Sequence, residues 1–410
     1  MQVLLRFFGP LHHHCQRTMP HLPPELWQEI FDCAIFVFGE LDERIYDPFC
    51  CPPGHELVLA IKASQFSRHN FIHVCRAFYM LSIPYLYRTI LVDGPSLWKR
   101  LLGCLAINKK RVCSQLDTPL NTSFIQSIHF LKMSPLNWRL TCEQIDLPNL
   151  TICRSAAEAN IFAYEPGAPF TPFNAPQLRA LEGTFVDANN CRYTAVHFPS
   201  LTTYFATILY GVPSLWEPPC DGSSIRLEAT LVGKQWPFHR DLDLDLACLM
   251  AVRMEISPPS VSSLHTIGRQ IQFLDIANNH LSHSNSATFI ELSKLPALVT
   301  LIIDIVKLGY NWRLLDGCTH SSLKRVGFMV PSKQLRYTVY RNHLNGFDRH
   351  RFPALERIRF LEMQVCRRLV AQNPSRVVTW SDKLGSRSVR LEASDGTLLV
   401  NLLTATVCPL

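Results

Sequence analysis

Three carboxylates, Asp241, Asp243 and Asp245, alternate with Leu242, Leu244 and Leu246. In an extended strand every second side chain shares a face, so these aspartates would stand together as a hard divalent cation requires. The same alternation describes a half-buried edge with leucine inward and aspartate outward, and no glycine-containing calcium loop or distal glutamate follows at ligand spacing. The edge is the reading adopted here. His12-His13-His14-Cys15 offers four ligand-type side chains, but a metal site needs ligands held by regular structure, and residues 1–18 read as a flexible tail or upstream extension ahead of Met19. There is no Gly-x-x-x-x-Gly-Lys-Ser/Thr loop, Gly-x-Ser-x-Gly elbow, His-Glu-x-x-His helix or Gly-x-Gly-x-x-Gly fingerprint. No catalytic residue, cofactor or metal is assigned on these grounds, and a non-enzymatic chain is expected.

Composition sets the frame around those residues. The 410 residues are 47% apolar and 18% charged, which suits a folded chain of one small and one large domain. The net charge of +7 is scattered, and its densest spot, Asn108-Lys109-Lys110-Arg111, reads as a solvated surface loop rather than a nucleic-acid contact. Fifteen cysteines, an odd number with no Cys-x-x-Cys pair, argue against a disulfide framework and against structural zinc. Small buried thiols in a reducing compartment, cytoplasmic or nuclear, are expected instead. The apolar run Met1–Phe8 stops at Gly9-Pro10, short of a secretory core segment, and the uncharged stretch Tyr193–Trp216 is broken by Pro199 and Pro213, so no membrane association is expected.

The elements near the N-terminus are legible. In Leu22-Pro23-Pro24-Glu25-Leu26-Trp27-Gln28-Glu29-Ile30-Phe31 the prolines suit a first helical turn, where a missing N–H costs nothing, and Glu25 sits at the positive end of the dipole. Leu26, Ile30 and Phe31 recur at helical spacing, with Leu22 folded against them. A second helical stretch runs from Leu57 to Met80, with Pro84 marking its end. Leu86–Val92 then alternates branched and aromatic residues and reads as a first strand.

Leu-Pro-Pro-Glu-Leu-Trp-Gln-Glu-Ile-Phe, followed by Val74-Cys75-Arg76-Ala77-Phe78-Tyr79 and Ile83-Pro84-Tyr85-Leu86-Tyr87-Arg88, resembles an F-box. It is most similar to the F-box-like proteins expanded in mushroom-forming fungi, whose two halves are likewise separated by an acidic, proline-containing insertion, here about Phe36–Glu56. The resemblance covers about one sixth of the chain. It implies a helical module over residues 19–92 that binds a Skp-type adaptor, and through it a cullin scaffold, using Leu22, Pro23, Pro24, Glu25, Leu26, Ile30, Phe31, Val74 and Cys75. The chain would then be the substrate receptor of a ubiquitin ligase.

From residue 93 to 410 an apolar triplet at i, i+3, i+5 recurs: Ile125-Ile128-Phe130, Leu249-Val252-Met254, Ile271-Leu274-Ile276, Leu298-Leu301-Ile303, Leu323-Val326-Phe328 and Leu355-Ile358-Phe360. Its anchors from Leu249 fall 22 to 32 residues apart, the period of leucine-rich repeats. In a short strand i+3 and i+5 point inward together, so each unit adds one apolar edge to a stacked core. Pro-x-Leu at Leu150, Leu178, Leu201, Leu298 and Leu355 marks the turn before each strand, and Asp395-Gly396 marks a closing hairpin or cap. The expected fold is α/β: the helical module followed by an irregular leucine-rich-repeat-like solenoid holding an unknown protein target, with Trp138, Trp216, Trp236 and Trp312 as loop aromatics for that contact. The rival reading is a passive repeat scaffold without ligase association; a metal-dependent hydrolase using Asp241, Asp243 and Asp245 ranks third. Whether Leu22, Pro23, Leu26 and Ile30 stand exposed on one face separates the first two.

Overall fold

The computed structural model describes residues 22–51, 54–114, 121–131, 145–155, 173–186, 200–208, 229–232, 249–255, 264–265, 268–277, 291–304, 318–329, 344–347 and 350–405. The tail at 1–18, His12–Cys15, Asp241, Asp243, Asp245 and the four loop tryptophans lie outside them. The protein is mixed α/β with parallel strands, and it divides into two units. One comprises Met1–Glu43, Gly54–Phe185 and Val196–Leu201, the other Arg44–Pro53, Val186–Ala195 and Thr202–Leu410. These limits differ from the expected division at residue 92, and the expected insertion is split between the units.

In the first unit, helices α1 (Pro24–Ile35), α2 (Gly54–Phe71) and α3 (Arg76–Arg88) precede β1 (Thr89–Val92) and α4 (Pro95–Ser114). Strands β2 (Ser127–Phe130), β3 (Ile145–Asp146), β4 (Ile152–Ser155), β5 (Phe173–Asn174) and β6 (Ala180–Val186) follow. β1, β2, β4 and β6 pair in that order, all parallel, with β3 and β5 as a separate pair. The helices close on an aromatic cluster in which Phe31 lies 4.7 Å from Phe71 and 5.1 Å from Phe78, and Trp27 4.8 Å from Phe78.

Three expectations are corrected here. The stretch Leu57–Met80 is two helices, because Cys75 adopts an extended conformation (φ −164°, ψ 171°) and caps α3 by accepting from the Phe78 N–H at 3.5 Å. Pro84 lies inside α3 rather than ending it. The last turn of the helix is tied to α1: the Tyr85 hydroxyl donates to Gln28 O at 3.2 Å, and Arg88 Nη1 lies 3.2 Å from Asp32 Oδ1. Asn108–Arg111 belongs to α4, not to a loop.

The second unit contains β7 (Thr203–Ile208), β8 (Ala229–Val232), β9 (Ala251–Glu255), β10 (Phe273–Ala277), β11 (Thr300–Asp304), β12 (Arg325–Met329), β13 (Arg357–Phe360) and β14 (Arg390–Glu392). Each pairs in parallel with the next in chain order. Helices α5 (Met363–Gln372), α6 (Pro374–Gly385) and α7 (Leu402–Ala405) lie toward its C-terminal end. Leu298, Leu301, Ile303, Leu323, Val326, Phe328, Leu355, Ile358 and Phe360 are all buried, as the triplet spacing requires. Removing each such side chain from water contributes about 1.5–3 kcal/mol. The turn at Asp395-Gly396 is a tight one, with Gly396 at φ +85° and an antiparallel bridge between Glu392 and Leu398.

The turn that precedes each strand repeats at the backbone. The anchor N–H reaches three residues back, from Leu178 to Ala175 O at 3.1 Å, Leu298 to Leu295 O at 3.0 Å and Leu355 to Phe352 O at 3.2 Å. The next two N–H groups then share one carbonyl of the preceding unit: Val299 and Thr300 that of Gln272, Lys324 and Arg325 that of Val299, Glu356 and Arg357 that of Lys324. Main chain thus satisfies main chain at these positions.

Candidate functional site

α1 has two apolar faces. Phe31 and Ile35, with half-buried Trp27, face α2 and α3. On the other side Leu26 and Ile30, spaced by four, are 42% and 43% exposed, Leu22 just ahead of the helix is 40% exposed, and Cys33 continues the stripe. Pro23 and Glu25 are exposed beside them. Pro23 precedes the helix and its carbonyl accepts from the Leu26 and Trp27 N–H groups at 3.1 and 3.3 Å, while Pro24 is the first helical residue. Val74 is 56% exposed in the turn before α3, next to half-buried Cys75.

Phe31 departs from the expected set. At 1% exposure it is the centre of the aromatic cluster and packs behind the outer stripe.

Other exposed side chains escaped the sequence reading. α2 buries Leu57, Ile61, Ser64 and Arg68 on one face, and leaves Leu59, at 63%, and Phe66, at 70%, outside. Phe36, Phe38 and Met80 are exposed as well. Of the twelve large apolar side chains exposed among the described residues, nine lie between Leu22 and Met80, so the exposed apolar surface is concentrated in this helical segment. The signal was present: a helix with apolar residues on two faces has only one core to face.

A buried ion pair fixes the helices that carry this surface. Arg68 Nη2 donates to both oxygens of Glu40, at 2.6 and 2.8 Å. Its Nη1 donates to Tyr85 O at 3.2 Å, its Nε to Ser64 Oγ at 3.1 Å, and that hydroxyl donates to Ile35 O at 2.7 Å. One guanidinium thus ties the chain after α1 to α2 and α3. At the end of α2, His69 and His73 meet through their Nε2 atoms at 3.1 Å, and partial burial together with the neighbouring imidazole lowers the His69 pKa.

Among the described residues no three His, Cys, Asp or Glu side chains come together as metal ligands, and no helix is long and apolar enough to cross a membrane. No family model matches the chain, and no curated protein matches it. What this arrangement can do chemically is bind: apolar side chains are held outward on short helices whose opposite faces are locked by aromatic packing and a buried arginine.

Proposed function

We propose that the chain is an F-box-type substrate receptor of a cullin-based ubiquitin ligase. α1–α3 dock a Skp-type adaptor, and the parallel strands with the triplet repeat, read as an irregular leucine-rich-repeat solenoid, hold a protein target. The observation that carries this reading is the outward stripe Leu22, Leu26 and Ile30 on a helix whose inner face is already satisfied. Large apolar side chains left in water at nine positions between Leu22 and Met80 support an interaction surface in this part of the chain. The stripe joins the three-part motif in sequence order, which is the second support.

On this reading the protein transfers nothing. It holds a target near a charged conjugating enzyme and raises its effective concentration there. Immobilised full-length chain mixed with a purified Skp-type adaptor at micromolar concentration tests the first step. Retention of the adaptor is expected, and its absence from the bound fraction leaves the passive scaffold in place of the receptor.

A further inference from the structure

Arg44–Pro53 belongs to the second unit, where it lies against the outward face of the strands. Its described residues, 44–51, form a run of turns rather than a strand. Asp47 builds them: its Oδ1 accepts from the Phe49 N–H at 2.9 Å, and its carbonyl accepts from the N–H groups of Cys50 and Cys51, both at 2.9 Å. Its Oδ2 accepts from the Cys50 thiol at 3.5 Å and lies 3.1 Å from Arg325 Nη1. The next carbonyl, of Pro48, accepts from Arg359 Nη1 at 3.2 Å.

The ring of Phe49 lies beside two guanidiniums, 4.6 Å from that of Arg359 and 5.3 Å from that of Arg325. Tyr46 meets Phe273 edge-on at 5.1 Å. The contacted side chains all come from the outward positions of β10, β12 and β13, since their neighbours Leu274, Val326 and Ile358 point into the core. A carboxylate, a backbone carbonyl and an aromatic ring are thus met by Arg325 and Arg359, which stand on the neighbouring parallel strands β12 and β13.

We propose that this outward face is a peptide-recognition site, filled in cis by Arg44–Cys51, and that its target in trans is a protein segment of the same chemistry: a carboxylate followed two residues later by an aromatic ring. Charge complementarity gives the trans ligand an advantage over the cis one. Arg325, Arg357 and Arg390 occupy one register row on adjacent strands. Arg325 is matched by Asp47 and Arg390 by Glu392, at 3.1 Å each. Arg357 is only half-buried and has no carboxylate partner among the described residues. A target with a second acidic residue placed over β13 gains that arginine, which the cis segment does not use. The proposal rests on the reading of the second unit as the target-holding part, and it names the target class.

The test uses the full chain and a fluorescent peptide with the sequence of residues 44–53, Cys50 and Cys51 replaced by serine. Asp47→Ala with Phe49→Ala empties the face; Arg325→Ala is added on that background. The emptied chain is expected to bind the peptide at least tenfold more tightly than wild type, because the cis segment no longer competes. Arg325→Ala should remove at least tenfold of that gain, and an added glutamate in the peptide should restore affinity through Arg357 and not in an Arg357→Ala chain. An emptied chain that melts cooperatively yet ignores the peptide overturns the proposal. So does one that no longer melts cooperatively, since Arg44–Pro53 is then a permanent part of the core. Skp-type adaptor capture, run on the same variants, reports on the receptor reading separately: loss of peptide binding with capture retained removes this inference alone.

Discussion

Arg68 and Glu40 form a salt bridge from which water is excluded, with side-chain exposures of 0% and 5% and a shortest separation of 2.6 Å. A buried pair of this kind is weak evidence of net stabilisation, since both charges had to be desolvated. Removing one partner is a different matter. Arg68→Ala strands the Glu40 carboxylate and also removes the side-chain donors to Tyr85 O and Ser64 Oγ. A loss of about 3–5 kcal/mol is expected from urea denaturation, and Glu40→Gln should also be costly, since it leaves the buried Arg68 charge unneutralised and sets an amide N–H against one of its donors. Equal and small effects of both substitutions would contradict the role assigned to the pair.

His129 gives a pH signature. It is buried on β2, its Nε2 2.9 Å from Ser127 Oγ, with Arg154 opposite it on β4. Burial first, and the Arg154 charge second, push its pKa well below the ordinary value. The unfolded chain therefore binds a proton near pH 6.5 that the folded chain refuses, and stability falls as pH drops through that value. His129→Gln should flatten this slope between about pH 7 and 5. An unchanged slope would show that other groups set it.

The cysteines differ in burial. Cys33 is exposed on the outer stripe of α1, whereas Cys153 is buried on β4, and burial, with a smaller contribution from Glu182, raises its thiol pKa well above the ordinary range. Thiolate-directed alkylation of the native chain should modify Cys33 within minutes and spare Cys153 until denaturant is added. Alkylation of both at similar rates would show that β4 opens readily. Bound adaptor should protect Cys33 in proportion to occupancy.

The triplet at i, i+3, i+5 made the strands and their inward residues legible, because a short strand with one buried face leaves its period in the sequence. Leu355, Ile358 and Phe360 are an example: anchor, then two inward positions, all buried. The inward role of Phe31 was not legible. Leu26, Ile30 and Phe31 share helical spacing, and only the partners Phe71, Phe78 and Tyr85, brought in from α2 and α3, decide which face turns in. The role of Asp47 was hidden for a similar reason. Nothing near it in sequence announces Arg325, whose guanidinium reaches it from a strand far along the chain. Cys75 was visible as part of a motif but not as a cap, because cysteine is a weak acceptor and carries no capping signal.

The central claim is that α1 offers its outer face to a Skp-type adaptor, and Ile30→Asp tests it most directly. Ile30 is 43% exposed, so an aspartate there strands no charge in the core and the melting temperature should stay within a few degrees of wild type. Burying one isoleucine at an interface is worth about 1.5–3 kcal/mol, so adaptor affinity should fall more than tenfold in a titration against the purified adaptor. Leu301→Asp is the control, since Leu301 is fully buried between β10 and β12: it should damage the melt and leave capture in place. Adaptor binding by Ile30→Asp equal to that of the wild-type chain, with both folded, would contradict the account.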